Sequence, residues 1–135
     1  MSVLVDTSVW SLAYRRKGSD LNSSESRIVD RLLQLIRAKE SRSIGPIRQE
    51  LLSGVKHAAQ FEKLRVAFSA FPDDALETAD YEEAARLFNF CRSKGLDVTH
   101  VDILICAVAL RRGYAVFTCD VNLQRCCRLL QVILV

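Results

Sequence analysis

No apolar run in the chain approaches the roughly 18 residues of a membrane-crossing helix, so nothing in the sequence marks such a span. The N-terminus lacks a basic segment followed by a long apolar stretch and a small-residue cleavage site. No export signal is therefore visible, and the cytoplasm is the expected location. Histidine is scarce: His57 and His100 are the only two, and they are not at zinc-finger spacing. No two of the five cysteines form a C-x-x-C pair, and Cys126 and Cys127 are adjacent, which on one helix would point them about 100° apart. Buried free thiols are the expectation, rather than a zinc or disulfide site. Internal repeats, low-complexity tracts and linkers are also missing, so one domain should fill residues 1–135.

What is present fits one folded unit. Half of the 135 residues are hydrophobic, which excludes intrinsic disorder and suffices for a single compact core. The net charge of +3 permits an anionic partner without demanding one. Val3 to Val5 reads as a short strand buried on both faces, and Ser8 to Tyr14 as a short helix. K-G-S-D-L-N-S-S-E-S, from Lys17 to Ser26, reads as a loop. Ile28, Val29, Leu32, Leu33 and Ile36 mark the apolar side of a helix. A short strand is expected near Ser43 and Ile44, then a helix with Pro46 in its first turn and Glu50, Leu51 and Leu52 further along.

Helical spacing continues from His57 to Phe71, and Ala75 to Glu77 has the look of a minimal strand. Thr78 to Ser93 is helical, with Thr78 or Asp80 as its cap, the latter at capping-box spacing from Glu83. Thr99 to Arg112 is a further helix, closed by Gly113. Ala115 to Thr118 reads as a strand, Asn122 to Leu130 as a helix and Val132 to Val135 as a closing strand. This alternation predicts an α/β domain with a mainly parallel central sheet flanked by helices.

Acids interrupt these apolar patterns at particular points. Asp6 ends the first strand, Asp120 lies just beyond the strand ending in Thr118, Asp102 opens the most apolar helix, and Glu50 sits beside Leu51 and Leu52. Ligands in open α/β sheets gather outside the carboxyl ends of strands, so Asp6 and Asp120 would face one crevice if their strands are parallel neighbours. Each acid also has a plainer role. Asp6 and Asp120 can cap the helices that follow them, Asp102 can favour a helix dipole from its first turn, and Glu50 can pair with Arg48 or with an arginine from a partner. Converging carboxylates would repel one another unless a cation neutralised them, and an all-oxygen set suits Mg²⁺ or Mn²⁺ rather than zinc. Such an ion suits phosphodiester hydrolysis. Thr7, Ser8 and Thr118 could orient the carboxylates or the attacking water.

The stretches V-L-V-D-T-S at the start, R-Q-E-L-L-S-G from Arg48, V-D-I-L-I-C-A-V-A from Val101 and V-F-T-C-D from Val116 resemble, in order, the acidic motifs of PIN-domain proteins. The length and short start are similar to VapC-type toxins of toxin–antitoxin pairs, and the resemblance spans essentially the whole chain. It implies a single PIN-like domain with Mg²⁺- or Mn²⁺-dependent endoribonuclease activity, an RNA substrate, a cognate antitoxin and a homodimer. Carried over by motif, Asp6, Glu50, Asp102 and Asp120 would be the metal-binding catalytic acids. Asn122 and Leu123 stand where many relatives continue to a further acid and an aromatic. Asn122 can still ligate through its oxygen or hydrogen-bond a water, but it adds no negative charge.

RNA contact requires cations, and Arg15, Arg16 and Lys17 follow the first helix closely enough to flank the crevice. Arg111 and Arg112 read instead as solvated cations at a helix C-terminus, with Arg125 and Arg128 as further basic groups. Phe61, Leu64, Phe68 and Phe71, with Trp10 and Tyr14, exceed what a small crevice needs. Core packing takes most of them, leaving some for a dimer face or an antitoxin helix. Other acid-crevice proteins fit less well. A receiver module wants an acidic pair after the first strand and a late lysine, and the chain has no lysine after Lys94. An aspartyl phosphatase wants an acid where Ser8 stands. A PIN-like RNA-binding or scaffold protein with weakened catalysis is the alternative to the nuclease, and Asn122 is its hint.

Overall fold

The computed structural model describes all 135 residues. Strand β1 (Val3–Val5) lies between β2 (Ser41–Arg42) and β3 (Ala115–Phe117), and both neighbours run parallel to it. The register pairs Val3 with Ser41 on one side, and Val3, Leu4 and Val5 with Ala115, Val116 and Phe117 on the other. Every residue of β1 and β3 is buried, as expected of a parallel sheet covered by helices on both faces. The fold is a single α/β domain, and the carboxyl ends of β1 and β3 lie side by side.

Seven helices surround this sheet: α1 (Thr7–Tyr14), α2 (Ser23–Arg37), α3 (Gly45–Leu52), α4 (Ala58–Phe68), α5 (Thr78–Ser93), α6 (His100–Arg112) and α7 (Val121–Leu130). Helix α6 is the interior one, buried continuously from Ile103 to Ala109. Trp10 of α1 is fully buried and donates its indole N–H to the Val5 carbonyl at 3.0 Å. Phe68 meets its ring edge-on at 4.8 Å, and Phe71 packs against it at a tilt at 4.9 Å. Core packing therefore absorbs most of the aromatic surplus, while Phe61 stays exposed. Cys91, Cys106, Cys126 and Cys127 are buried free thiols, but Cys119 is exposed. No helix is long and apolar enough to cross a membrane.

Several boundaries differ from expectation. Helix α2 starts inside the stretch read as a loop, because Asn22 and Glu25 form a reciprocal capping box, and Gly18–Asp20 makes a turn of 3₁₀ helix before it. Strand β2 lies two residues earlier than expected, since its position follows from pairing with β1. Ala75 to Glu77 is not a strand: Arg112 occupies the Ala75 carbonyl at 2.8 Å and no neighbouring strand is there. Helix α4 ends at Phe68, leaving Phe71 beyond it. The cap of α5 is Glu77, with Asp80 as its reciprocal partner, so neither Thr78 nor Asp80 is the cap itself. The C-terminal segment forms one parallel bridge between Leu134 and Val116 rather than a full strand.

Candidate metal centre

Asp6 is held where β1 gives way to α1. Its backbone N–H donates to the Phe117 carbonyl at 2.9 Å, which ties the end of β1 to the end of β3. Its side chain is 6% exposed and caps α1, with Oδ2 accepting from the Ser8 N–H at 3.4 Å. The same oxygen accepts from the hydroxyls of Ser8 at 2.7 Å and Thr118 at 2.8 Å. Each hydroxyl in turn accepts a backbone N–H: Cys119 donates to Ser8 Oγ at 3.1 Å and Asp120 to Thr118 Oγ1 at 3.0 Å. A hydroxyl has one hydrogen, and both hydrogens are directed at Asp6. The 3.2 Å contact between the two hydroxyl oxygens therefore carries no further bond. Oδ2 is thus saturated, and Oδ1 engages no hydrogen bond.

Asp120 stands at the matching end of β3. It caps α7 through Oδ1, which accepts from the Leu123 N–H at 3.0 Å, and its Oδ2 is unengaged. Asp102 lies in the first turn of α6, where Thr99 caps the helix by accepting the Asp102 N–H at 3.1 Å. Thr99 did not stand out in the sequence, although a threonine three residues before an early-turn acid is a capping signal. Glu50 projects from α3 and accepts from the Thr7 hydroxyl at 3.2 Å. The capping roles of Asp6 and Asp120 are therefore real and leave one oxygen of each carboxylate unused.

Electrostatics link these four acids. Burial pushes the Asp102 carboxyl up to about 6, and the charges of Asp6, Asp120 and Glu50 push in the same direction against a hydrogen bond with Thr99. Glu50 is also raised, first by partial desolvation and then by Asp6 and Asp120, with its bond from Thr7 opposing. No cation compensates any of the four. Arg48, the available partner for Glu50, is instead bound to Asp73 at 2.9 Å and to the carbonyls of Phe68 and Phe71. As oriented, no three of the carboxylates are close enough to grip one ion, so convergence is electrostatic rather than a finished ligand cage. The free donors are all carboxylate oxygens, the chemistry that hard divalent cations take.

The remaining candidates divide. Asn122 is exposed on the first turn of α7 and bonds to none of the acids. Arg15, Arg16 and Lys17 are exposed beyond α1, and Arg16 is engaged with Glu25 at 2.8 Å. Arg111 and Arg112 are not solvated helix-end cations: they hold the fully buried Asp80 at 2.5 and 2.7 Å.

The family model described as PIN domain matches residues 3–129. No curated protein matches the chain. Among solved structures, FitAcB from Neisseria gonorrhoeae is similar with a TM-score of 0.77 at 18% identity, over 98% of this chain and 95% of that one. VapBC2 from Rickettsia felis, bound to a DNA fragment from their promoter, gives 0.72 at 17% identity, over 100% and 98%. A toxin–antitoxin complex from Klebsiella pneumoniae gives 0.63 at 17%, over 88% and 87%. At these identities the structural likeness is one of fold.

Proposed function

The chain belongs to the PIN-domain family, and on that premise we propose that it is a Mg²⁺- or Mn²⁺-dependent endoribonuclease acting as the toxin of a toxin–antitoxin pair. The observation that carries this reading is a set of four electrostatically coupled carboxylates without a counter-cation: Asp6 and Asp120 at the adjoining ends of β1 and β3, Glu50 on α3 and Asp102 on α6. Asp6 is buried and Asp102 partly buried, while Glu50 and Asp120 are exposed, and desolvation together with mutual repulsion raises the pKa values of Asp102 and Glu50. The similarity to toxin–antitoxin structures supports the biological role and a cognate antitoxin as partner. A homodimer, an RNA substrate and a cytoplasmic location belong to the same proposal.

Asp6 Oδ1, Asp120 Oδ2, Asp102 and Glu50 are the residues that would hold the ion. When bound, Mg²⁺ or Mn²⁺ supplies Lewis-acid polarisation of a phosphoryl oxygen and a water of lowered pKa. The chain's own contribution is positional. Ser8 and Thr118, each polarised by a backbone N–H, fix Asp6 through Oδ2 and leave Oδ1 without a hydrogen bond. The α7 cap fixes Asp120 in the same manner. Asp102 must lose its proton before it can ligate, so ion affinity should rise with pH through about 6. The reaction is in-line attack by water on an RNA phosphodiester, leaving a 5′-phosphate and a 3′-hydroxyl.

The direct test is cleavage of single-stranded RNA by the pure protein with Mg²⁺ or Mn²⁺. Asp6→Asn should lower the rate by at least about 100-fold, since it disturbs both the ligand and its hydroxyl support. No cleavage by wild type, or equal cleavage by the variant, would overturn the reading. The alternative, a PIN-like protein that binds RNA or serves as a scaffold with weakened catalysis, draws on Asn122 alone. It predicts that metal titration gives neither a binding signal nor product.

A further inference from the structure

Beyond the acids, the end of α1 borders a cleft of about 600 Å³, flanked on its far side by the segment after α3 and by one side of α4. Arg15, Lys17, Lys56 and Lys63 line it, with His57 and Gln60 among them, and no acidic residue does. Arg16 also lines it but is paired with Glu25; the other four cations make no ion pair. Elsewhere this chain tends to pair its arginines, as around Asp80, Asp73 and Asp74. Lys56 and Lys63 are distant in sequence from Arg15 to Lys17, and only folding unites them.

Shape and walls narrow the ligand. Gly54, at φ 85°, turns the chain at the cleft, and a Cβ there would sit 4.0 Å from Arg15 Nη2. The wall opposite the guanidinium is therefore bare backbone. Half-buried Tyr14, with Ala13, Val55 and Ala67, adds an apolar surface, which free phosphate does not need but a ribose or base does. Distance fits as well. At about 1.5 Å per helical residue, Arg15 lies roughly 13 Å along α1 from Asp6, a short reach of single strand.

We propose that this cleft is a phosphodiester-binding site for single-stranded RNA, holding the strand to one side of the bond cleaved at the acids. The position of that bond rests on the nuclease reading; the cleft's affinity for RNA does not. Lys56 and Lys63 contact phosphates there beside Arg15 and Lys17, and Tyr14 faces the sugar or base.

The test uses the full chain carrying Asp6→Asn, so that bound RNA is not consumed, with and without Lys56→Gln and Lys63→Gln. Fluorescence anisotropy of a labelled single-stranded RNA of about 12 nucleotides is read between about 50 and 200 mM NaCl. Removing both lysines should weaken binding at least fivefold at the lowest salt. It should also reduce the slope of log affinity against log salt by about 1.4, near 0.7 for each phosphate that a lysine no longer neutralises. Unchanged affinity and slope would overturn the proposal. So would an equal loss from Arg86→Gln on α5 with Lys94→Gln just beyond its end, which would show only bulk charge. An equal loss for duplex DNA of the same length would overturn the single-strand assignment, and displacement of the RNA by equimolar inorganic phosphate would overturn the strand altogether. If wild type cuts no RNA while the lysine effect persists, the nuclease reading fails and the cleft stands. If wild type cuts RNA and the lysine effect is absent, the cleft fails and the nuclease stands. Matching thermal melts of the variants exclude misfolding as the cause.

Discussion

Asp102 shows what the crevice costs. Its pKa in the folded protein is about 6, against 3.8 ordinarily, with burial the main cause and the neighbouring carboxylates next. Between those values the folded chain holds a proton that the unfolded chain has released. Stability from this residue is therefore greatest below about pH 4 and is lost as pH rises through about 6. Asp102→Asn should consequently raise stability in metal-free buffer at pH 7.5, by about 1–2 kcal/mol after solvent screening of a partly exposed group. The gain should shrink towards zero at pH 4, which thermal melts across that range would reveal. A destabilised variant at pH 7.5 would contradict this account. Thr118 argues the opposite case, because it relieves a carboxylate rather than crowding it. Thr118→Val keeps the shape but removes the donor to Asp6 and leaves the Asp120 N–H without its acceptor. A loss of about 1–2 kcal/mol in denaturant unfolding is expected.

At the scale of elements, the junction of α5 and α6 depends on one buried acid. Asp80 accepts the Glu77 N–H at 2.8 Å and both arginines at the end of α6. Burial raises its pKa, but these donors outweigh burial and hold the carboxyl below its usual range. Asp80→Asn should destabilise the protein by about 3 kcal/mol, near the low end for breaking a buried pair, because both guanidiniums can turn to water. Chemical denaturation of the variant checks this, and a loss under 1 kcal/mol would reduce Asp80 to an ordinary cap. The same residue shows where local sequence stops being informative. Local spacing placed a helix at Thr78–Ser93 correctly, yet it could not show that Asp80 serves partners more than thirty positions away. The two-residue β2 was misplaced for a related reason: its register is set by β1, not by its own residues. Strand β1 and helix α6 were legible because continuous burial leaves an unbroken apolar run. The acids were legible because each interrupts such a run. Their side-chain directions, the backbone N–H support of Ser8 and Thr118, and the union of Lys56 and Lys63 with Arg15 are products of tertiary contact.

Taken as a whole, the molecule separates its charges more than a net of +3 suggests. Four unpaired acids lie at the sheet's carboxyl edge, and four unpaired cations line the cleft at the other end of α1. Folding brings the acids together without balancing them, so a divalent cation that binds only the folded chain should stabilise it. At a free Mg²⁺ or Mn²⁺ concentration about 100 times its Kd, the gain would be about 2.7 kcal/mol. For a domain of this size that corresponds to a rise in Tm of roughly 10 °C. Melts in EDTA, in MgCl₂ and in NaCl of matched ionic strength separate specific binding from screening. The wild type should respond to the divalent salt well beyond NaCl, more at pH 7.5 than at pH 5, where Asp102 competes for a proton. Asp6→Asn combined with Asp120→Asn should remove the difference between the two salts. Equal shifts in MgCl₂ and NaCl would mean that the crevice responds only to ionic strength, and would remove the metal from the proposed mechanism.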